Sequence, residues 1–416
     1  MRWFEHAIWW QVYPLGFTGA PVRPSSEEER ALTHRLGHLH NWLDYAQRLG
    51  TNGLLLGPVF SSSTHGYDTT DHFSIDPRLG DEADFDKLIA ACRERGIVVL
   101  LDGVFNHVGD QHPLYRAALA NGPDSDEAKL FRIDWDQNPP RAAVFEGHGS
   151  LVSLNHDEPA VADLVADVMR HWLRRGIHGW RLDAAYAIKP EFWQDVLAKV
   201  RPEFGEAWFV GEMIHGDYAD YVRRSGLDSI TQYELWKATW SSLKDTNLFE
   251  LDWTLQRHNG WLDGGLVPQT FVGNHDVTRI ASLVGHERVT AALTVLFTVG
   301  GIPSLYYGDE QGFTGTKFER LGGDDEVRPT FPENPDLLSP LGEPIFRLHQ
   351  DLIGLRRRNP WLVHARTEKL ELRNEFYRYA VHGPAGERLE VTLDLAGNGI
   401  RIQDGNGEPL LVSPGS

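Results

Sequence analysis

Eight short apolar runs, each rich in β-branched or aromatic residues, recur along the chain with stretches of helical period between them. The runs are Ile8 to Tyr13, Gly53 to Val59, Ile97 to Val104, Gly179 to Asp183, Trp208 to Glu212, a weaker Leu227 to Thr231, Thr270 to Gly273 and Ile302 to Tyr307. The intervening periodicity predicts helices at Trp42 to Leu49, Asp84 to Arg95, Val161 to Arg174, Glu191 to Val200, Arg288 to Val299 and Ile345 to Arg358. Strands that alternate with helices form a parallel sheet covered by those helices, and eight such units close it into a (β/α)8 barrel, the TIM barrel. Chemistry is then expected where the strands end.

Two segments depart from that rhythm. From His107 to Asn155 the chain is rich in Pro, Gly, Asn and Asp and weak in periodicity, which predicts a small excursion between the third strand and its helix. Beyond Pro360 alternating runs such as Phe376 to Val381 and Leu389 to Leu395, punctuated by glycines, predict a small C-terminal antiparallel β domain. The expected division is barrel 1–106, excursion 107–155, barrel 156–360 and β domain 361–416.

Forty basic against fifty-nine acidic residues give a formal charge of -19, which disfavours nucleic acid and anionic membrane faces as partners and points to a neutral ligand. One cysteine, Cys92, excludes an internal disulfide framework, so the expected compartment is the cytoplasm. The first thirteen residues lack a basic start, a long apolar stretch and a cleavage site, so no signal peptide is expected. The uncharged stretch between Arg288 and Asp309 is interrupted by Thr290, Thr294, Thr298, Gly300, Gly301 and Pro303, which predicts a buried helix running into a buried strand, not a membrane span. The sequence leaves the oligomeric state open.

Polar clusters fall at the ends of predicted strands. Asp102-Gly-Val-Phe-Asn106-His107 follows the third run. In Gly179-Trp-Arg181-Leu-Asp183 the arginine and aspartate are two residues apart and share one face of a strand, where the cation favours an ionised, nucleophilic Asp183. Glu212 closes an apolar run in Val210-Gly211-Glu212, a setting suited to acid work. Gly273-Asn274-His275-Asp276 follows the seventh run. Taken one at a time, these are a turn, a surface ion pair and a loop. Their order on successive strands resembles the α-amylase family of retaining glycoside hydrolases, and the resemblance covers most of the chain. It extends to Gly66-Tyr67-Asp68, Ile75-Asp76-Pro77-Arg78-Leu79-Gly80, Gly301-Ile302-Pro303 and Tyr306-Tyr307-Gly308-Asp309-Glu310.

The resemblance implies roles. Asp183 matches the nucleophile, Glu212 the general acid and base, and Asp276 the third carboxylate, which holds sugar hydroxyls. Arg181, His107 and His275 match residues that line the subsite of the attacked glucose, Tyr67 matches its aromatic platform, and Asp102 belongs to the same polar lining. In relatives that attack chain ends, an aspartate after the platform tyrosine often pairs with an arginine after the eighth strand. Asp68 and Arg328, within Asp324-Asp-Glu-Val-Arg328, are the matching residues, with Asp324 beside them as a further substrate-binding residue.

Three departures narrow the reading. Starch-degrading α-amylases usually follow the nucleophile with a Lys-His pair that grips the leaving-group side, whereas Asp183 is followed by Ala184-Ala185-Tyr186-Ala187. Ser153, within Leu151-Val-Ser153-Leu-Asn155, stands where many members place a calcium-binding aspartate, so no required metal and no cofactor are expected, although Asn106, a ligand in calcium-dependent relatives, is present. Tyr67-Asp-Thr-Thr-Asp71, Asp102 to Gly109 and Glu212-Met-Ile-His215 look closest to the neopullulanase, cyclomaltodextrinase and maltogenic amylase branch. That branch usually carries an extra N-terminal β domain, expected here to be absent because Ile8 already begins the first strand.

The implied function is hydrolysis of α-1,4-glucosidic bonds in short maltooligosaccharides, a neutral α-glucan substrate, with release of glucose or maltose. The same residues would serve a transglycosylase, or an isomerase making trehalose or an α-1,6 link. A further alternative is an inactive barrel acting as a scaffold, against which the retention of Asp183, Glu212 and Asp276 argues.

Overall fold

The computed structural model describes residues 2–397 and 399–413 of the 416. Met1, residue 398 and residues 414–416, included in the first and last segments of the expected division, lie outside the described residues. One sheet has eight strands: β1 Trp9–Val12, β2 Gly53–Leu56, β3 Val98–Gly103, β4 Gly179–Leu182, β5 Trp208–Gly211, β6 Ser229–Ile230, β7 Gln269–Phe271 and β8 Ile302–Tyr306. Their order is β6-β5-β4-β3-β2-β1-β8-β7, and a parallel bridge from Thr231 to Gln269 joins the two ends of that series. The fold is the (β/α)8 barrel that the eight apolar runs predict. The weakest run, Leu227 to Thr231, yields only the two-residue β6.

Five of the six predicted helices begin a residue or two before the apolar period does, and the one predicted from Trp42 begins at Leu43; capping and first-turn proline, more than burial, set several of these starts. Asp81 caps the helix Glu82–Glu94 in a reciprocal box: its side chain accepts from the Asp84 N–H and Asp84 accepts from the Asp81 N–H. Proline occupies the first turn of Pro159–Arg174, Pro190–Val200 and Glu343–Arg358, where its missing N–H costs nothing. Helix Pro159–Arg174 then buries Val161, Val165, Val168, Met169 and Trp172 along one stripe. Trp172 donates its indole N–H to the His72 carbonyl at 2.8 Å and packs on Phe60 and Phe85, so Trp172→Ala would cost about 3–5 kcal/mol.

The chain divides into two compact units, Met1–Gln11 with Asp44–Leu54 and Ser229–Ser416, and Val12–Leu43 with Leu55–Asp228. The second unit includes the excursion, whose base is a short antiparallel pairing of His107, Val108 and Gly109 with Ser153, Val152 and Leu151. The first unit carries a five-stranded antiparallel sheet: β9 Arg366–Leu372, β10 Phe376–His382, β11 Arg388–Asp394, β12 Gly399–Asp404 and β13 Pro409–Ser413, in sequence order. Alternate residues Tyr377, Tyr379, Val381, Leu389, Val391, Leu393, Ile400 and Ile402 are buried. Hydroxyl bonds from Tyr377 to Asp252 and between Tyr379 and Thr298 tie this sheet to helices Leu248–Asp263 and His286–Thr298.

The uncharged stretch after Arg288 is the buried helix His286–Thr298 followed by the buried strand β8. Among the described residues no helix is long and apolar enough to cross a membrane.

Candidate active site

In the second unit, register brings the first polar clusters together. Arg181 on β4 is the pairing partner of Asp102 on β3, so both side chains leave the sheet on the same face. Nη1 of Arg181 lies 2.8 Å from both Asp102 carboxylate oxygens and 3.1 Å from Asp183 Oδ1, while Nη2 lies 2.5 Å from Glu212 Oε1. All four groups are buried, Asp102 completely. Burial by itself would discharge the guanidinium, but Asp102, Glu212, Tyr67 and Asp183 outweigh it and hold its pKa well above the ordinary arginine value. One permanently charged fork therefore orders three carboxylates, and removing it would strand them in a dry site at a cost of about 3–5 kcal/mol.

Strand ends fix where the carboxylates sit. Asp183 and Glu212 each stand one residue past the last ladder residue of their strands, and their own N–H groups still donate backward, to Gly103 O at 3.0 Å and Leu182 O at 2.9 Å. Immediately after Asp183 the chain turns through Ala184 in the left-handed region, φ 46° and ψ 37°. That turn points the Ala184 N–H at Glu212 Oε2, 3.0 Å away. A non-glycine residue in this region costs about 1–3 kcal/mol, and such strain clusters at sites that need a fixed geometry.

Tyr67 donates its hydroxyl to Asp102 Oδ2 at 3.0 Å. Its carbonyl accepts from His107 Nε2–H at 2.9 Å, which leaves Nδ1 to accept from the Asn106 amide at 3.2 Å. Burial is the main reason that the His107 pKa falls to about 4, so this ring is neutral near pH 7. Phe145, from the excursion, stacks on it with centroids 4.9 Å apart and planes 16° from parallel. The Asp68 carboxylate is taken up within the turn that carries Tyr67, accepting from Thr64 N–H at 3.0 Å and Thr64 Oγ1 at 2.6 Å.

In the first unit, Gly273-Asn274-His275-Asp276 follows β7. A Cβ on Gly273 would fall 2.3 Å from Asp309 Oδ2, so only glycine fits there. Gln11 on β1 donates to His275 Nδ1 at 3.1 Å, so the other ring nitrogen carries the proton that faces Asp276 Oδ2 at 2.9 Å. Arg328 binds the other Asp276 oxygen at 2.7 Å, donates through Nε to the His275 carbonyl at 2.9 Å and lies 3.3 Å from Asp324. Asn274 accepts the Asp276 N–H and donates to the Tyr233 hydroxyl. The Asp276 carboxylate is thus oriented from both sides, by an imidazole and by a guanidinium.

Gln11 was not singled out from sequence. Its signal was a lone polar residue inside the apolar run Trp9–Val12, buried to 7% exposure. Ala184 left no signal of its own.

Asn106 braces the base of the excursion, through its side chain on His107 and its carbonyl, which accepts from Leu154 N–H. Asn155 nearby is engaged by Arg132, whose guanidinium also pairs with Asp157. A cation among these donors suits neither Asn155 nor Asp157 as a calcium ligand. Among the described residues one group of three metal-capable side chains converges elsewhere, His34, Asp81 and Asp84, and the two aspartates there are the capping box of helix Glu82–Glu94.

A family model described as the alpha amylase catalytic domain matches residues 35–336. A cyclomaltodextrinase of Geobacillus thermopakistaniensis is 30% identical over 378 residues, 85% of this chain and 63% of its own length. A maltogenic alpha-amylase of Bacillus acidopullulyticus is 29% identical over 392 residues, 87% of this chain and 64% of its own. The chain thus spans under two thirds of the length of these curated relatives. The solved structure of the cyclic alpha-maltosyl-(1→6)-maltose hydrolase from Arthrobacter globiformis, in complex with maltose, superposes with a TM-score of 0.83 at 25% identity, covering 100% of this chain and 99% of that one.

Proposed function

The chain belongs to the α-amylase family, and from that premise we propose that it hydrolyses α-1,4-glucosidic bonds in short maltooligosaccharides by double displacement, releasing glucose or maltose. Asp183 is the nucleophile, Glu212 the acid and base, and Asp276 the carboxylate that binds sugar hydroxyls. The observation that carries this reading is the Arg181 fork, which holds Asp183 on one nitrogen and Glu212 on the other. Two carboxyl groups sharing one guanidinium are compatible with the separation of about 5 Å that retaining displacement uses.

In the first step Asp183 attacks the anomeric carbon while Glu212 gives its proton to the departing glycosidic oxygen. In the second, Glu212 takes a proton from water, the water oxygen bonds to the anomeric carbon, and the bond to Asp183 breaks, so configuration is retained. Tyr67 and Asp102 supply a platform and an acceptor for the sugar under attack, and His107 and His275 line its subsite. Two carboxyl groups carry both steps, and no metal or cofactor enters. Asp68, whose carboxylate is held by Thr64, and Arg328, which holds Asp276, are further proposed to bind sugar, Asp68 from the turn that carries Tyr67 and Arg328 from the loop after β8. The substrate is neutral, and the compartment assigned is the cytoplasm, where the lone buried thiol of Cys92 needs no partner.

A second substrate reading rests on the end-to-end likeness to the Arthrobacter hydrolase. The same residues would open a cyclic maltosyl-maltose, a compact substrate that suits a site for short glucans.

The test is a product profile over time on maltotriose, amylose and a cyclic maltosyl-maltose, with Asp183→Asn as control. Glucose and maltose from maltotriose, lost in Asp183→Asn, are expected. Rapid cutting of amylose into a broad ladder would refute chain-end attack, and an active Asp183→Asn would refute the nucleophile.

A further inference from the structure

Arg328 holds the Asp276 carboxylate, and in the first unit the chain on either side of Arg328 is itself held. The carbonyl before it, that of Val327, accepts from the Tyr306 hydroxyl at 2.8 Å and from Arg279 Nη2 at 3.0 Å. The carbonyl after it, that of Pro329, accepts from the Tyr307 hydroxyl at 2.8 Å. Both phenols come from the end of a rigid element: Tyr306 is the last residue of β8, and the Tyr307 N–H still donates to Gln11 O on β1 at 2.9 Å. Arg279, three positions past Asp276, is completely buried, with its guanidinium 4.6 Å from the Tyr306 ring centroid and 5.6 Å from that of Tyr307. Its other nitrogen, Nη1, donates to Asp309 Oδ1 at 2.7 Å, and Asp309 in turn abuts Gly273, the residue that opens the Asp276 loop. Among the described residues Arg279 Nε and Asp309 Oδ2 have no hydrogen-bond partner. An incompletely satisfied buried ion pair is a poor source of stability.

We propose that Arg279, Tyr306 and Tyr307 are positioning residues that clamp the backbone around Arg328, and that they act on turnover only through the guanidinium that orients Asp276. The inference rests on the hydrolase reading above, in which Asp276 holds sugar hydroxyls, and adds the residues that aim it. Arginine is long and rich in rotamers, so its grip on a carboxylate costs entropy, which a fixed starting point reduces. With both flanking carbonyls tied down, the backbone of Arg328 is set, and its head group reaches Asp276 Oδ1 and the His275 carbonyl together. Arg279 also couples the two loops. One arm of its fork meets the loop after β8 beside Arg328, and the other meets the aspartate packed on Gly273. A displacement of either loop is thereby passed to the carboxylate, and small misplacements of a group that positions substrate are costly to rate. What the buried pair contributes is placement.

The experiment is a double-mutant cycle on maltotriose hydrolysis: Tyr306→Phe and Tyr307→Phe, each made in the wild type and in Arg328→Ala, with kcat/KM and melting temperature read for all. Each phenylalanine keeps the ring and removes one hydroxyl, so the fold survives where an Arg279 variant, stranding Asp309, would endanger it. In the wild-type background Tyr307→Phe is expected to lower kcat/KM about fivefold, the worth of one hydrogen bond, because Pro329 O loses the donor described for it. Tyr306→Phe is expected to cost less, about twofold to fivefold, because Arg279 still serves Val327 O. In Arg328→Ala both effects on kcat/KM should shrink to within about twofold, while the drop in melting temperature stays the same in the two backgrounds. A merely structural role would instead give losses in kcat/KM that multiply with that of Arg328→Ala, and such additivity would overturn the clamp. So would both phenylalanine variants within about twofold of wild type, or an Arg328→Ala enzyme as active as wild type. A wild type that leaves maltotriose untouched would overturn the hydrolase reading itself, and the clamp's part in turnover with it.

Discussion

The N–H of Ala184 points at Oε2 of Glu212 from 3.0 Å because Ala184 occupies the left-handed region of backbone space. The residue after the proposed nucleophile thus aims the proposed acid, through a conformation that a side chain resists. Ala184→Val, with a β-branched side chain in that region, should lower stability by about 2 kcal/mol and slow turnover, while Ala184→Gly should keep the fold within about 1 kcal/mol of wild type. Denaturant unfolding and kcat measured together check it. A valine variant as stable and active as wild type would show that the turn relaxes freely.

Glu212→Gln should slow maltotriose strongly but spare the first step on a glucosyl fluoride, whose leaving group needs little protonation. Initial rates on both substrates decide the matter. Equal losses would remove Glu212 from the acid role.

Arg328 holds Asp276 by one oxygen and the His275 carbonyl by Nε. Arg328→Ala should therefore reduce kcat/KM on maltotriose by about tenfold to a hundredfold, the cost of a lost charge-assisted bond or two, and Arg328→Lys should recover only part of it. An alanine variant with unchanged kcat/KM would mean that Asp276 is oriented by His275 alone.

Burial pushes His107, His112, His258 and His349 down to about 4. Unfolding returns each to its ordinary value of 6.5, so below that pH the unfolded chain binds more protons, and the stability these rings give is full above about 6.5 and drains as pH falls toward 4. Asp309 and Glu310, raised by burial to about 6 and about 7, act with the opposite sign, since acid relieves their desolvation. Four rings outweigh two carboxyls. The melting temperature should fall steadily from pH 6.5 to 4.5, and a flat profile over that window would contradict the balance.

Dialysis against EDTA should leave both activity and melting temperature unchanged, because Ser153 replaces a carboxylate and Arg132 occupies Asn155 and Asp157. A drop restored by added Ca2+ would show that other oxygens complete a site.

The barrel was legible because its signal is repeated: eight apolar runs set by burial on both faces of a parallel sheet survive errors of a residue or two at each end. Boundaries drifted where capping, and not hydrophobicity, starts an element, as at Pro159 and Pro190. The carboxylates were legible as well, since Asp183, Glu212 and Asp276 each follow an apolar run directly or within a few residues, and order along the chain is a one-dimensional property.

What the sequence by itself determined is therefore the periodic part: strand count, the positions of the acids behind their strands, and the pairing of Arg181 with Asp183 on one face. What only the tertiary structure decided is everything set by register and backbone rotation. Nothing in the linear spacing says that Arg181 stands opposite Asp102, that Gln11 fixes the tautomer of His275, or that Ala184 turns left-handed to reach Glu212. Hydrophobic burial is read from composition along a strand, but a hydrogen bond depends on direction to within a few tenths of an ångström, and that direction exists only once the strands are paired.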